Sequence, residues 1–257
     1  MEVTLNARLR LVTRGDDSGS SHAANRAVRD AFGRGILRNA SIQVPGPAFD
    51  EAAEMLGGLD GLCLGLHATV TDEWNESRWG PVLGAGKVPS LVQPDGTFFK
   101  ATQDLWRRKP DLDELLAELK AQLDRARSRG LRIAYMDEHM AFGWFTGLQD
   151  RLQAMAKAEG LVHGRGRLSP LPQVKGEFAD PVERFLAQLE AAEVGKTYLL
   201  VLHPACDDEE MRGLTYGDRK PGEIARERDG DRRLFTDPRV LDYCSCRGVQ
   251  LTRFTET

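Results

Sequence analysis

Short apolar runs alternate with amphipathic segments along this chain, and the pattern predicts strands connected by helices. The most strand-like runs are residues 9–13, 39–44, 62–66, 131–136, 197–202 and 249–254. Segments with apolar residues at helical spacing fall between them, at 21–32, 49–56, 112–123, 181–192 and 240–246. Residues 207–238 are charged and contain glycine, so we expect a mobile loop with a little helix there. Strands that alternate with helices favour a parallel sheet.

The segment 68–109 interrupts this alternation after the third predicted strand. It shows no clear period, and it holds three of the four tryptophans. Long irregular loops inside compact domains usually serve as lids or binding loops. No repeat, low-complexity tract or linker divides the chain, and 257 residues suit one barrel-sized domain. We therefore predict a single α/β domain over residues 1–257, with a long insertion after the third strand.

Acidic residues and histidines follow directly on four of the predicted strands. In chain order they are Asp16, Asp17, His67, Asp137, His139 and His203. Taken alone, the Asp16–Asp17 pair is also typical of an Asx turn that bends through the next two residues. Three of the five histidines at equivalent positions favour one shared site, because the carboxyl ends of parallel strands meet at one edge of the sheet.

Two imidazoles and one carboxylate form a ligand set that leaves coordination positions open for water and substrate, which suits zinc, manganese, iron or cobalt. We predict Asp17, His67 and His139 as the ligands of one divalent metal ion. Asp16 is then the candidate general base, and His203 the candidate general acid. Asp137 is a candidate hydrogen-bond partner of a ligand imidazole. This set fits hydrolysis of an amide or an ester, and the spacing does not name the substrate.

The composition excludes several classes of partner. A formal net charge of −4 gives no global attraction to nucleic acid or to an anionic membrane. No apolar stretch reaches the ~20 residues of a membrane span, and the first eight residues lack the basic and apolar regions of a secretory signal. Four cysteines, with Cys244 and Cys246 too close for an easy mutual bridge, are typical of reduced thiols. We therefore expect a cytoplasmic protein without nucleic-acid or membrane partners.

Four short motifs occur in order between residues 9 and 204. They are the Asp16–Asp17 pair followed by Asn25, a Gly-x-His-x-Thr element at 65–69, a Glu-Leu-x-x-Gln helix at 118–122 before the Asp137–His139 strand end, and a late His203–Pro204. In this order they resemble the YdjC-like family, the carbohydrate deacetylases of the chitooligosaccharide type. Each motif has little specificity alone, whereas the ordered set is specific and covers most of the chain.

The resemblance implies a distorted (β/α) barrel, similar to a TIM barrel, with one divalent metal ion, zinc or magnesium. It places the metal on Asp17, His67 and His139 and makes Asp16 the base, in agreement with the assignment made from the residues. The implied reaction removes an acetyl group from an N-acetylated sugar, a small-molecule partner. A homodimer is the candidate assembly.

Several positions around these motifs depart from the family pattern. They are Arg14 in place of Asn, Ser18 in place of Phe, and Tyr135 and Ala141 in place of histidines. The ligand set survives these changes, but specificity for chitobiose is not carried over. Arg78, Trp79 and Tyr135 are the candidate sugar contacts, because aromatic rings stack on the apolar faces of pyranoses. The alternative for a tryptophan in the insertion is that it covers the core beneath a loop.

Two other functions stay open at this level. The first is a non-catalytic sugar-binding or regulatory protein on the same barrel, for which the departures are the only support. The second keeps the metal and changes the bond that is cleaved, as in an esterase or another amidase. A comparison of N-acetylated sugars with O-acetyl esters separates the second from a deacetylase.

Overall fold

A computed structural model describes residues 8–163 and 168–257, and in them eight parallel strands form one curled sheet with helices packed against it. The strands are β1 Arg10–Ser18, β2 Asn39–Ile42, β3 Cys63–Ala68, β4 Ile133–Glu138, β5 Val162–His163, β6 Ser169–Pro170, β7 Thr197–Leu202 and β8 Gln250–Thr252. The helices are α1 His22–Arg34, α2 Phe49–Leu56, α3 Thr102–Arg107, α4 Leu112–Ser128, α5 Gln149–Ala158, α6 Pro181–Glu190, α7 Glu209–Gly213, α8 Glu223–Thr236 and α9 Pro238–Cys246. Short 3₁₀ segments lie at Pro89–Leu91, His139–Trp144 and Phe254–Glu256.

The order of the strands explains why the sheet curls. It runs β5-β4-β3-β2-β1-β7-β6, and β8 pairs with the first residues of β1. The two edge strands, β5 and β6, are separated by only five residues in sequence. Six peptide steps span at most about 22 Å, so the two edges of the sheet must approach each other. The result is an incompletely closed barrel, which confirms the predicted distorted (β/α) barrel.

Local sequence signals determine where the helices begin. The side chain of Ser21 accepts a hydrogen bond from the amide of Ala24 at the start of α1. The side chain of Asp180 accepts one from the amide of Val182, and Pro181 begins α6, as the sequence predicts. The amphipathic pattern of α4 buries its leucine stripe, namely Leu115, Leu119 and Leu123. These caps and stripes hold the helices against the sheet.

A small cluster inside the barrel contains a pair of stacked aromatic rings. Tyr135 stacks on Phe254 with ring centroids 4.2 Å apart, and its hydroxyl lies 2.9 Å from Ser41 Oγ. Gly65, the residue that pairs with Tyr135 on the neighbouring strand, leaves room for this ring, since a Cβ atom there would lie 2.2 Å from a ring carbon. The glycine two residues before His67 is therefore required by packing.

The prediction of a loop with a little helix at 207–238 gives this segment too little helix. Helices α7 and α8 occupy much of this segment, and α8 buries Ile224, Ala225, Leu234 and Phe235. Charged residues outnumber the apolar residues of this narrow stripe, so the helical period of the apolar positions is hard to detect in the sequence. Sequence analysis did not assign α5, although Leu152 and Ala156, which it buries, stand at helical spacing.

The insertion does follow the third strand, and it packs onto the core. Trp74, Trp79, Leu91 and Phe98 are buried there. It contains α3 and the 3₁₀ segment Pro89–Leu91, with an isolated bridge between Thr71 and Phe99.

Among the helices that the structure describes, none combines the length and the apolar character needed to cross a membrane.

Candidate active site

Strand β1 ends in two carboxylates that enter the same space. In a regular strand Asp16 and Asp17 would point to opposite faces of the sheet. A register shift between Gly15 and Ser18, together with a left-handed backbone at Asp17 with φ 65°, breaks that alternation. Both carboxylates are consequently buried and line one cavity at the carboxyl end of the sheet. The side chain of Asn25 accepts a hydrogen bond from the Gly19 amide at 2.7 Å and so holds the turn that follows.

Asp17, His67 and His139 converge at this edge of the sheet. His67 lies in β3, and His139 begins the 3₁₀ segment that follows β4. Asp17 Oδ1 is 3.2 Å from His67 Nε2 and 3.4 Å from His139 Nδ1. The two imidazole nitrogens are 3.2 Å apart. All three residues are buried.

The hydrogen bonds around this triangle direct unshared electron pairs toward its centre. His67 Nδ1 lies 2.7 Å from Asp137 Oδ1, and His139 Nε2 lies 2.9 Å from Glu73 Oε2. An imidazole that donates one N–H to a carboxylate leaves its other nitrogen as an acceptor. Among the residues that the structure describes, none forms a hydrogen bond with Asp17 Oδ1. Three ligand atoms at about 2.0–2.2 Å from one cation lie roughly 3.0–3.5 Å apart, so this group can hold one metal ion.

Two arginines, the half-buried Arg14 and the buried Arg228, bind the carboxylates of the site. The Arg14 guanidinium donates from Nε and Nη2 to the two oxygens of Asp16, both at 2.7 Å. Its Nη1 lies 2.6 Å from Asp137 Oδ2. Arg228 Nη1 lies 2.8 Å from Asp17 Oδ2, the oxygen that faces away from the imidazoles. Arg14 thereby links the candidate base to the partner of His67.

The balance of charge at the site favours a divalent cation. Four carboxylates and two guanidinium groups lie in direct contact around the imidazoles: Asp16, Asp17, Glu73, Asp137, Arg14 and Arg228. They leave two negative charges in a buried place, where uncompensated charge is unfavourable. One divalent ion, or a proton on each of two imidazoles, balances them.

The pKa values of the two histidines show how protons can balance this charge in the absence of a metal ion. Burial alone would lower the pKa of His139, but the charges of Glu73 and Asp17 raise it to about 9. Burial also opposes protonation of His67, and Asp137 is the principal charge that raises its pKa well above the ordinary value. In the metal-free protein these carboxylates therefore favour the protonated form of both imidazoles. A metal ion must displace these protons.

The carboxylates stay ionised despite burial. Burial would raise the pKa of Asp17, but Arg228 and the two imidazoles hold it well below its usual range. Burial would also raise the pKa of Asp137, and Arg14 with His67 lowers it to about 2. The neighbouring cations therefore favour the anionic form of both groups.

A cavity of about 560 Å³ opens over the Asp–His–His group. Asp16 and His203 both line it, as sequence analysis expected of one shared site. His203 follows β7, is exposed, and donates its backbone N–H to Asp231 Oδ2 at 2.9 Å. Within residues 8–163 and 168–257, no hydrogen bond joins the His203 imidazole to the buried group. It faces the cavity from a separate strand.

The structure does not bring two of the candidate sugar contacts to this cavity. Arg78 Nε donates to Asp72 Oδ2 at 2.6 Å, and the amide of Trp79 donates to the same oxygen at 2.9 Å. Neither residue is among the described residues that line the cavity. Both hold the insertion together. Tyr135 does line the cavity, although only 1% of its surface is exposed.

Several residues of the site were missed by sequence analysis. Glu73 lies in the insertion, and Arg228 lies in α8, which was predicted as loop. His163 ends β5, lies 2.9 Å from Glu138 Oε1 and lines the cavity. A signal for His163 was present, because it follows a short apolar pair just as His67 follows its strand. Glu73 and Arg228 had no local signal.

Two adjacent residues of the insertion reach metal-ligand candidates, one directly and the other through an arginine. Glu73 contacts His139 directly. The indole ring of Trp74 lies 5.1 Å from the Arg228 guanidinium, which in turn binds Asp17. The insertion therefore forms one wall of the site.

The fold and the site together define a class of protein: a (β/α) barrel that carries the metal-ligand set of a metal-dependent hydrolase at the carboxyl ends of its strands. The sequence model of the family described as "YdjC-like protein" matches residues 10–245, and the chain belongs to this family. The family resemblance found in the sequence is thereby confirmed.

Relatives with assigned names extend over nearly the whole chain. The carbohydrate deacetylase of Geobacillus stearothermophilus is 27% identical over 256 residues, covering 95% of this chain and 96% of that protein. The carbohydrate deacetylase of Thermoanaerobacter pseudethanolicus is 26% identical over 261 residues, covering 95% and 98%. A solved structure from Enterococcus faecalis V583, provisionally assigned to cellobiose-phosphate cleavage, superposes with a TM-score of 0.80 at 23% identity, covering 96% of this chain and 98% of that one. That likeness shows the shared fold.

Proposed function

We propose that this protein is a metal-dependent carbohydrate deacetylase, which hydrolyses the acetamide group of an N-acetylated sugar. The observation that carries the proposal is the convergence of Asp17 Oδ1, His67 Nε2 and His139 Nδ1 beneath a cavity that Asp16 and His203 also line. Metal site, base and acid in one cavity are what amide hydrolysis requires. Two relatives named carbohydrate deacetylase, matched over nearly their full length, support the substrate class.

Different residues of the site perform different steps of the reaction. Asp17, His67 and His139 would hold the metal ion, which when bound lowers the pKa of water and polarises the acetyl carbonyl. Asp16 accepts the proton that the attacking water loses. His203 donates a proton to the sugar nitrogen as the C–N bond breaks. Water, amide and the two proton transfers thus give acetate and the free amino sugar.

Arg14 positions the base for this step. Its two hydrogen bonds to Asp16 hold the carboxylate in one orientation. A carboxylate has about four acceptor positions, so the oxygens keep unshared pairs that can take the proton of water. Asp137 and Glu73 orient the two imidazoles in the same manner.

Acetate release from N-acetylated sugars tests the proposal, with metal content measured on the same samples. We expect Asp16→Asn to keep the metal and lose turnover, and His139→Ala to lose the metal. His203→Ala should slow the chemical step by about 10²–10⁴-fold. His22→Ala, at an exposed histidine in α1, is the matched control and should behave as the wild type. A wild-type kcat for Asp16→Asn would refute its role as base.

The same assay separates the alternatives. Faster turnover of O-acetyl esters than of N-acetylated sugars would make the protein an esterase. Sugar binding without turnover in the presence of zinc or magnesium would make it a binding protein. Elemental analysis of protein purified without added metal identifies the ion. Cell fractionation and the mass in solution test the cytoplasmic location and the homodimer, which we retain as proposals.

A further inference from the structure

Three polar side chains on α4 form a ridge that faces the insertion. Glu114, Glu118 and Gln122 follow one another at intervals of four residues, and residues with this spacing are neighbours on one face of a helix. Glu118 and Gln122 are fully buried, and they are the polar residues of the Glu-Leu-x-x-Gln motif. Glu114 is half-buried and accepts a hydrogen bond from the Ser90 amide at 2.8 Å. The proposed reaction uses none of these side chains.

The two buried members of this polar ridge bind the backbone of the insertion. Gln122 Oε1 accepts a hydrogen bond from the amide of Thr69 at 3.1 Å, and its Nε2 donates to the carbonyl of the same residue at 2.6 Å. Glu118 accepts one from the amide of Val82 at 2.8 Å and one from the amide of Leu83 at 3.0 Å. One helix face thus holds the insertion at its beginning and near its middle.

The donors that meet at Glu118 require an ionised carboxylate. Gln122 Nε2 also donates to Glu118 Oε1 at 2.8 Å, so three N–H groups point at the two oxygens. A carboxylate has about four acceptor positions, whereas a glutamine would turn its own NH₂ group toward one of these donors. Burial raises the pKa of the Glu118 carboxyl, and in the part of the chain that the structure describes no cation pairs with it. The contacts with the insertion are therefore what stabilises this buried charge.

The loop between the two anchored points reaches the metal site. Residues 70–81 form this loop, and it includes Glu73, whose Oε2 lies 2.9 Å from His139 Nε2. Thr69, the anchored residue at its start, donates from Oγ1 to the carbonyl of His67 at 2.6 Å. The place where the chain leaves β3, and hence the approach of Glu73 to His139, depends on these contacts.

We propose that Glu118 and Gln122 are positioning residues of the metal site. By holding both ends of residues 70–81, they keep the Glu73 carboxylate against the His139 imidazole. This inference rests on the metal site of the proposed function. Because the two side chains bind backbone groups, they set the course of the loop whatever side chains the anchored residues carry. When this hold is weakened, the imidazole loses its oriented partner and becomes a weaker ligand.

Hydrogen exchange in the metal-free protein tests the hold on the loop. Glu118→Gln matches the carboxylate in size but cannot accept from all three donors. Exchange at the amides of Val82 and Leu83 should become roughly 10–100-fold faster, the range for a lost hydrogen bond to a charged group. Asp124→Asn, at an exposed carboxylate of the same helix, is the matched control and should exchange as the wild type. Unchanged exchange at the two amides, or an equal acceleration in the core strands, would overturn the inference.

The Kd for zinc tests whether this hold acts through Glu73. Glu118→Gln should raise the Kd by about 3–10-fold, a part of the 10–100-fold that loss of a ligand's hydrogen-bond partner costs. In a Glu73→Ala background the same substitution should change the Kd by less than about twofold, because no carboxylate remains to be positioned. Equal effects in the two backgrounds would overturn the inference, since general structural damage acts independently of Glu73.

These measurements separate the inference from the proposed function. A wild type that binds zinc but deacetylates no sugar refutes the proposed function and leaves both tests of positioning in force. A wild type that does not bind zinc overturns the positioning role, whatever the exchange rates. If Glu118→Gln does not fold, Gln122→Met takes its place, because it removes the contact with Thr69. Faster exchange at the Thr69 amide and the same dependence on Glu73 would support the inference, and additive effects would overturn it.

Discussion

Replacing Glu73 with Gln should change the pH dependence of metal binding. Glu73 Oε2 lies 2.9 Å from His139 Nε2, and its charge helps to raise the pKa of His139 to about 9. Glutamine has nearly the same size and can accept the same hydrogen bond, so the substitution removes mainly the charge. Because a metal ligand must be an unprotonated imidazole, binding below about pH 9 requires His139 to release a proton.

The structure gives the magnitude of this competition. A pH of about 7.5 is about 1.5 units below the pKa of His139. Competition by this proton therefore weakens metal binding about thirtyfold, or ~2 kcal/mol. The wild-type Kd should therefore fall about tenfold per pH unit for this proton, until it levels near pH 9. His67 adds a second proton with the same sign.

In Glu73→Gln, the pKa of His139 should move down toward that of an ordinary histidine. The Kd for the metal should therefore become independent of this proton at a lower pH than in the wild type. Above pH 9 the variant should bind about 10–100-fold more weakly, because the neighbouring carboxylate no longer strengthens the ligand. The curves of metal Kd against pH for the wild type and the variant therefore converge at low pH and diverge at high pH.

Competition with a chromophoric chelator between pH 6.5 and 9.5 measures both curves. Glu54→Gln, at an exposed position of α2, serves as the control and should follow the wild type. Curves for wild type and Glu73→Gln that run parallel at every pH would refute the reasoning, since a lost contact without a change in proton competition gives a constant offset. A wild-type affinity that does not vary with pH would refute it as well.

Other substitutions test the packing and the charges of the site. Arg228→Met should lower the stability of the metal-free protein by about 3–5 kcal/mol, because it removes one of the positive charges that balance the buried carboxylates and leaves Asp17 Oδ2 without its ion pair; denaturant unfolding in chelator measures this. Gly65→Ala should cost about 1–3 kcal/mol or more, since the new Cβ would meet the Tyr135 ring. Gly230→Ala, within α8 and with open space around its Cβ, should instead gain about 0.5–1 kcal/mol. Thermal unfolding checks both glycine variants, and equal effects would contradict the packing described.

The elements that the sequence predicted well are those set by local patterns. Helix α2 and strand β7 have the predicted bounds, because turn residues or changes of period mark both ends of each. The convergence of Asp17, His67 and His139 was also predictable, since parallel pairing aligns the ends of β1, β3 and β4. Here a local pattern and one topological rule suffice.

The remaining parts of the site depend on contacts between distant segments. Glu73 is one acidic residue in an irregular stretch, and only tertiary packing turns it toward His139. Arg228 lies among many charged residues of α8, and its burial against Asp17 cannot be distinguished from exposure by sequence pattern. Asp17 itself needed a left-handed backbone, which its Asp-Asp context does not encode locally.

The contacts of Glu73 with His139 and of Trp74 with Arg228 have a consequence for engineering. A protein designer who wished to alter sugar preference would naturally exchange the whole insertion between relatives. Such an exchange would also replace the carboxylate behind His139 and the indole beneath Arg228. A graft that keeps residues 72–79 of the recipient would leave these contacts in place.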